Sequence, residues 1–227
     1  MGFASEEARS ADSSFIETVW RTRSERAGAF TSVAASNWEV VISTLGGETV
    51  VTARGPETRA SEADFPADAE FFGIVFRLGA FMPHLPVRTL LDRQDATLPE
   101  ASGRSFWLHG TAWELPTFEN ADAFVDRLIR QGIIVRDPVI EAAVRGHRPD
   151  GSIRSLQYRF LRATGLTQKV IRQIERARGA VSLLEGGTPP SETALEVGYF
   201  DQAHLTNSLK RFVGRTPAQI ARNSAVG

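Results

Sequence analysis

The chain changes texture once, near residue 118, and that change confines it to two kinds of folding unit. Before it, runs such as "WEVVISTL", "TVVTARG", "AEFFGIVFRLGAF" and "SFWLHGTAWEL" are dense in Val, Ile, Phe, Trp and Thr. Those are the residues that fit a pleated, half-buried surface. A "GGE" between the first two predicts a hairpin turn. Prolines at 66, 83, 86, 99 and 116 restrict this half to short helices, with "HLPVRTLLD" the candidate. After residue 118 the apolar residues recur at helical spacing. Asn120 stands where a cap belongs, ahead of Phe124, Leu128 and Ile129 on one face. Further helices are expected over 137–145, 152–163, 167–184, 191–197 and 201–213, separated by Gly, Pro or Ser. The expectation is an α+β chain: a flexible lead over 1–14, a β-rich domain over 15–117 and an all-α domain over 119–222.

Several functions drop out on composition. The 227 residues include no cysteine, which removes disulfides, thiol catalysis and cysteine-ligated zinc together. "MGFASEEARSADSS" lacks the basic start and apolar core of a signal peptide. The apolar stretch "FFGIVFRLGAFM" is broken by Arg77 and falls short of the ~20 residues a membrane helix needs. A soluble, cytoplasmic protein with no membrane partner is expected. A net charge of −1 conceals an asymmetry. Residues 151–227 carry 11 basic and 5 acidic side chains, net +6, against −7 for the rest. The asymmetry fits a basic module joined to an acidic domain and equally an ordinary solvated surface.

The helical half contains a short self-similarity. "SIRSLQYRFLRATGLT" (152–167) and "DQAHLTNSLKRFVGRT" (201–216) each open on a capping residue, Ser152 or Asp201. Each then places Leu156 or Leu205, Phe160 or Leu209, and a glycine two residues before a threonine. At 100° per residue, Leu205, Leu209 and Phe212 form one stripe, as do Leu156, Phe160 and Ala163. The opposite faces carry Arg154, Tyr158 and Arg162 on one helix, and Ala203, His204, Asn207, Lys210 and Arg211 on the other. Most of these types donate to phosphates and base edges. "SETALEVGYF" supplies a short helix and Gly198 as a corner, completing a helix-turn-helix plan.

At these residues the chain resembles the AraC/XylS-type transcriptional regulators. "ALEVGYFDQAHLTNSLKRFVGRTP" looks like their second helix-turn-helix, with Ala194, Gly198, Tyr199, Asp201, Leu209, Lys210, Gly214, Thr216 and Pro217 at the family positions. "SLQYRFLRATGLT" resembles the first motif and "VIRQIERARGAVSLL" the helix joining the two. The upstream half looks like the β-rich sensor half, cupin-like or a small barrel, of an actinobacterial-type branch. Tyr158 and Asn207 stand where the family commonly has arginine, Thr193 replaces a usual aliphatic residue, and "RGHRPDGS" is a longer turn than usual. The resemblance implies a DNA-binding regulator whose two recognition helices enter successive major-groove segments of double-stranded DNA. It also implies a small-molecule effector, a homodimer and a contact with RNA polymerase as partners, with no cofactor.

Roles follow from side-chain chemistry. Arg154, Gln157, Tyr158, Gln202, His204 and Asn207 are expected to face bases, since Gln and Asn address adenine and Arg favours guanine. Ser152, Arg159, Arg162, Lys210 and Arg211 are expected to hold phosphates.

Other chemistry finds little support. His84 and His109 are the histidines of the β half, 25 residues apart and outside any metal motif. No nucleophile elbow or phosphate-binding loop is present, so neither catalytic nor metal-ligating residues are assigned. Trp38, Phe72, Phe76, Trp107 and Trp113 are candidates to line an effector pocket, although such aromatics more often fill a core. Two alternatives stand beside the regulator: a β-barrel enzyme or small-molecule carrier with a helical cap, and a module that docks a partner helix.

Overall fold

The computed structural model describes residues 3–147 and 151–224. Strands β1 (Phe3–Ser10), β2 (Ile16–Ser24), β3 (Gly28–Ser32), β4 (Glu39–Leu45) and β5 (Glu48–Arg54) open the chain. They are followed by β6 (Ser61–Phe65), β7 (Ala69–Phe76), β8 (Ala80–Phe81) and 3-10 turns over Val87–Arg93. Strands β9 (Ala96–Leu98), β10 (Glu100–Ser102), β11 (Ser105–Leu108) and β12 (Thr111–Glu114) complete the β half. A six-stranded antiparallel ladder in the order β1-β2-β7-β4-β5-β9 forms its main sheet. Smaller ladders join β10-β11-β12 and β3-β6. The main ladder is open, with β1 and β9 at its edges.

The apolar run "AEFFGIVF" becomes β7 near the middle of this ladder, paired on both sides. "GGE" turns β4 into β5 as expected, with Gly46 and Gly47 at positive φ and Leu45 opposite Glu48. The lead differs from expectation. Phe3–Ser10 pairs along β2 from Phe3↔Ser24 to Ser10↔Thr18, so the predicted flexible segment is an edge strand. Its charged and small residues, with Glu6 and Glu7 adjacent, give no apolar alternation, which is why sequence reasoning passed over it. Ion pairs hold it: Arg9 to Asp122 at 2.6 Å and Glu7 to Arg21 at 2.6 Å.

Helix α1 (Ala121–Arg130) seats on the β half. Its Phe124 packs edge-on to Trp113 at 6.0 Å and against Phe106. Asn120 stands at the cap position, but its Oδ1 accepts from the Thr117 amide instead of a helix amide. Strand β13 (Val135–Arg136) then pairs with β8. Helix α1 and β13 thus pack with the β half although both follow the change in sequence texture.

Downstream run α2 (Pro138–Val144), α3 (Ile153–Thr164), α4 (Gln168–Glu185), α5 (Pro190–Glu196), α6 (Gln202–Phe212) and α7 (Pro217–Ser224). Helix α4 is the spine, packing on α2, α5, α6 and α7. Its Ile171, Ile174, Ala177, Ala180 and Leu184 are buried at helical spacing. No helix of the described residues is long and apolar enough to cross a membrane.

Candidate nucleic-acid interface

Helices α3 and α6 form for the same local reasons. Ser152 Oγ accepts from the Ser155 amide at 3.1 Å, and Asp201 Oδ1 accepts from the His204 amide at 2.7 Å. Each satisfies a donor the first helical turn leaves orphaned. The predicted apolar stripes are the buried ones: Leu205, Leu209 and Phe212 on α6, Phe160 and Ala163 on α3, with Leu156 half-buried. At the corner before α6, Gly198 has φ +74, which a side chain would strain. Tyr199 turns inward there, its hydroxyl 2.7 Å from Ser208 Oγ. Arg176 from α4 lies over the Tyr199 ring and donates to the Gly198 carbonyl at 3.1 Å. Thr193, an unusual residue at its position, is fully buried with its hydroxyl donating to the Thr188 carbonyl at 3.4 Å.

The first motif is fixed differently. Asp137 caps α2 by accepting from the Val139 amide, and the same carboxylate takes a bidentate pair from Arg159 at 2.6 and 2.7 Å. That hydrogen-bonded carboxylate pushes the Arg159 pKa further up. Arg159, assigned to phosphate from sequence, is therefore committed to a strut between α2 and α3. Gln168 and Arg172 of α4 add hydrogen bonds to the Ala143 carbonyl. Of the long turn "RGHRPDGS", residues 148–150 lie outside the described residues.

The outward faces are open. Arg154, Gln157, Tyr158, Gln202, His204 and Asn207 are all exposed, as are Ser152, Arg162, Lys210 and Arg211. Arg162 lies over the Phe81 ring and Arg211 over that of Phe212, each keeping its charge outward. The His204 ring stands edge-on to Tyr199 at 5.1 Å. Ile153 and Phe200, unassigned from sequence, are exposed at the starts of α3 and α6.

Apart from Phe81 under Arg162, the β half meets the helices at the ends of α3 and α6. Gly165, at the end of α3, lies so close to the 3-10 turns that a Cβ would approach the Arg88 backbone to 2.9 Å. At the end of α6, the Ala34 amide donates to the Phe212 carbonyl at 2.7 Å and the Ala60 amide to the Arg211 carbonyl at 2.8 Å. A cavity of about 290 Å³ lies beside this junction, lined by Val33, Ala34, Ile174, Ala177, Phe212 and Val213 among others.

The five aromatics proposed for an effector pocket do not converge. Trp38 stacks on Phe76 at 4.0 Å in the core, its Nε1 donating to the Ala80 carbonyl. Trp113 is buried against Phe124, and Trp107 is exposed. Phe72 alone of the five lines the second cavity, a cleft of about 510 Å³ against the sheet that also takes in Arg21, Thr44, Phe71, Phe118 and Glu119. The two histidines, distant in sequence, meet with ring centroids 4.3 Å apart. Burial and then His109 push the His84 pKa down, and His84 Nε2 has no hydrogen-bond partner among the described residues. No group of three or more His, Cys, Asp or Glu among those residues is placed to hold a metal.

Residues 151–223 match the family described as a helix-turn-helix domain, and this segment is an AraC-type helix-turn-helix domain. Two solved structures of ToxT from Vibrio cholerae align over 96% of this chain. One is covered over 98% of its length at 10% identity with a TM-score of 0.39, the other over 97% at 9% identity with a TM-score of 0.42. No curated protein matches.

Proposed function

We propose that this protein is a sequence-specific transcription regulator in which α3 and α6 enter adjacent major-groove segments of double-stranded DNA. The observation that carries the reading is the exposure of both outward faces beside buried inner stripes, within a matched helix-turn-helix segment. A recognition helix needs that division: one side packed, the other free to meet base edges with its N-terminal residues. One chain carrying two such helices spans two groove segments without a dimer. Arg154, Gln157, Tyr158, Gln202, His204 and Asn207 are the base-facing set in this proposal. Ser152, Arg162, Lys210 and Arg211 hold phosphates, and Arg159 is withdrawn from that role.

The unit over 3–136 is the sensing or dimerising half and 137–224 the DNA-binding half. In this reading the effector site is the 510 Å³ cleft, whose walls combine Phe71, Phe72 and Phe118 with the Arg21 guanidinium. An effector biases DNA affinity only by the difference in its affinity for two arrangements of the halves. The α6 carbonyls held by Ala34 and Ala60 give the β half a grip on one recognition helix.

The test is affinity against salt on duplexes selected from a random pool. Binding that prefers the selected duplex and weakens steeply with salt is expected. A flat log–log slope, or no preference over random duplex, ends the proposal. The double change Asn207→Ala with Lys210→Ala should collapse DNA binding and leave the unfolding midpoint in place.

A further inference from the structure

The β half holds both recognition helices, and two short segments fastened to each other do the holding. Residues 55–60 follow β5, and the 3-10 turns over Val87–Arg93 follow β8. Gly55 lies so close to the turns that a Cβ on it would come within 2.1 Å of the Leu90 carbonyl oxygen. The Asp92 amide donates to the Pro56 carbonyl at 3.0 Å, and Asp92 Oδ1 accepts from the Thr58 amide at 2.7 Å and from its hydroxyl at 2.9 Å. Asp92 and Arg93 have φ of +52 and +70, left-handed conformations that persist only where their surroundings over-determine them. The bonds to Pro56 and Thr58 supply that constraint, and the two segments form one ledge. This ledge meets both readers. Its Val87–Arg88 backbone abuts Gly165 at the end of α3, leaving no room for a Cβ. Its Ala60 amide donates to the Arg211 carbonyl of α6 at 2.8 Å, and Ala60 also closes on Gly214, two residues past α6, where a Cβ would approach it to 3.3 Å.

The two readers are seated differently within the helical half. Helix α6 packs directly on the spine α4, whereas α3 packs on the 3-10 turns and β8 and reaches the spine through α2 and the turn over 165–167. The separation of the readers therefore depends on the piece of chain that touches both. A duplex is exacting about that separation, because one base pair moves a groove segment by about 3.4 Å and turns it by about 35°. Resting on the DNA-binding reading above, we infer that the ledge fixes the separation of α3 and α6, and with it the number of base pairs allowed between the two sequence blocks this chain reads. Gly55, Thr58, Asp92 and Gly165 are its positioning residues, acting through the readers rather than on the duplex. Helix α4 is the competing ruler: if the spine set the spacing by itself, the ledge could be loosened without effect on it.

The experiment uses the full chain and a duplex selected from a random pool, resynthesised with one base pair inserted or removed between its two enriched blocks. The unaltered protein should lose about tenfold or more in affinity at either changed spacing, within the range of a single mismatched base pair. Asp92→Gly keeps the left-handed backbone accessible and removes the carboxylate that holds Thr58. It should shrink the spacing penalty severalfold and leave the base preference within each block unchanged. Gly165→Ala must displace the Arg88 backbone and should also shrink the penalty or move the preferred spacing. Gly198→Ala, equally left-handed but with open space around its Cβ, should do neither. Plain destabilisation lowers affinity at every spacing alike, so the spacing profile separates positioning from loss of fold. A profile unchanged in both Asp92→Gly and Gly165→Ala, or changed equally by Gly198→Ala, overturns the inference while leaving the regulator reading intact. So does a protein that tolerates the inserted base pair, or a selection that enriches a single block. Failure to enrich any sequence removes the regulator reading and this inference together.

Discussion

The two helix-turn-helix motifs share a sequence pattern and are held in place by different forces. In the second, the corner is an apolar device. Tyr199 is buried under Arg176, Gly198 makes the turn, and α4 to α7 pack around it. In the first, the corresponding work falls to an ion pair, Asp137 with Arg159, and to packing of α3 on β8 and on the 3-10 turns of the β half. A repeated pattern thus specifies a repeated shape without specifying what holds it. The first reader is built into the β half, whereas the second depends mainly on its own helices.

Packing provides the largest test of that contrast. Phe160→Ala, in the core shared by α3 and the β half, should cost about 3–5 kcal/mol. Thermal unfolding followed by near-ultraviolet and far-ultraviolet signals should show both halves losing stability together. Leu209→Ala should cost about 2–5 kcal/mol and act chiefly on the second motif, read by hydrogen exchange of α5 to α7. If the two changes give the same exchange pattern, the contrast fails.

The glycines come next. Gly198→Ala should lose about 1–2 kcal/mol, the cost of a left-handed residue with open space around its Cβ. Gly165→Ala carries the same strain and must also displace the Arg88 backbone, so its unfolding midpoint should fall further. Equal midpoints would show that the α3 junction yields freely.

Charge gives a smaller and more specific effect. Lys210→Gln should reduce the slope of log affinity against log salt by about 1. Arg159→Gln should leave that slope alone and lower stability instead, since its guanidinium already serves Asp137. A reduced slope for Arg159→Gln would return it to the phosphate contacts.

The smallest expected effect concerns the histidine pair. A folded-state pKa held below the ordinary value of about 6.5 means that the unfolded chain binds the proton more readily. The stability contributed by neutral His84 is full above that value and is lost as pH falls through it. Unfolding midpoints should therefore drop as pH falls below about 6.5. His84→Asn should flatten part of the drop, and an unchanged profile would show that the ring pair does not resist protonation.

The readable parts of this fold were those with a strong period. The β4–β5 hairpin, the β7 strand and the α3 and α6 stripes lie where their residues put them. Strand β1 escaped because its charged and small residues, without an apolar alternation, resemble solvated chain. Helix α1 was legible as a helix but not as a companion of the β half, since its partners Trp113 and Phe106 declare themselves only in three dimensions. Arg159 looked like its exposed neighbours for the same reason, its carboxylate lying twenty-two residues upstream. Of the five aromatics expected in a pocket, Trp38, Phe76 and Trp113 are core, Phe72 lines the cleft and Trp107 is exposed.

The junction at the end of α6 has a consequence for how this protein can change over time. Ala34 and Ala60 reach the helix carbonyls with amide groups that nineteen of the twenty residue types possess. At half-buried Ala60 the side chain can change and the tether persists unless proline arrives, whereas buried Ala34 admits only small replacements. A lineage could therefore change the surface around Ala60 while inheriting the same link between the β half and α6.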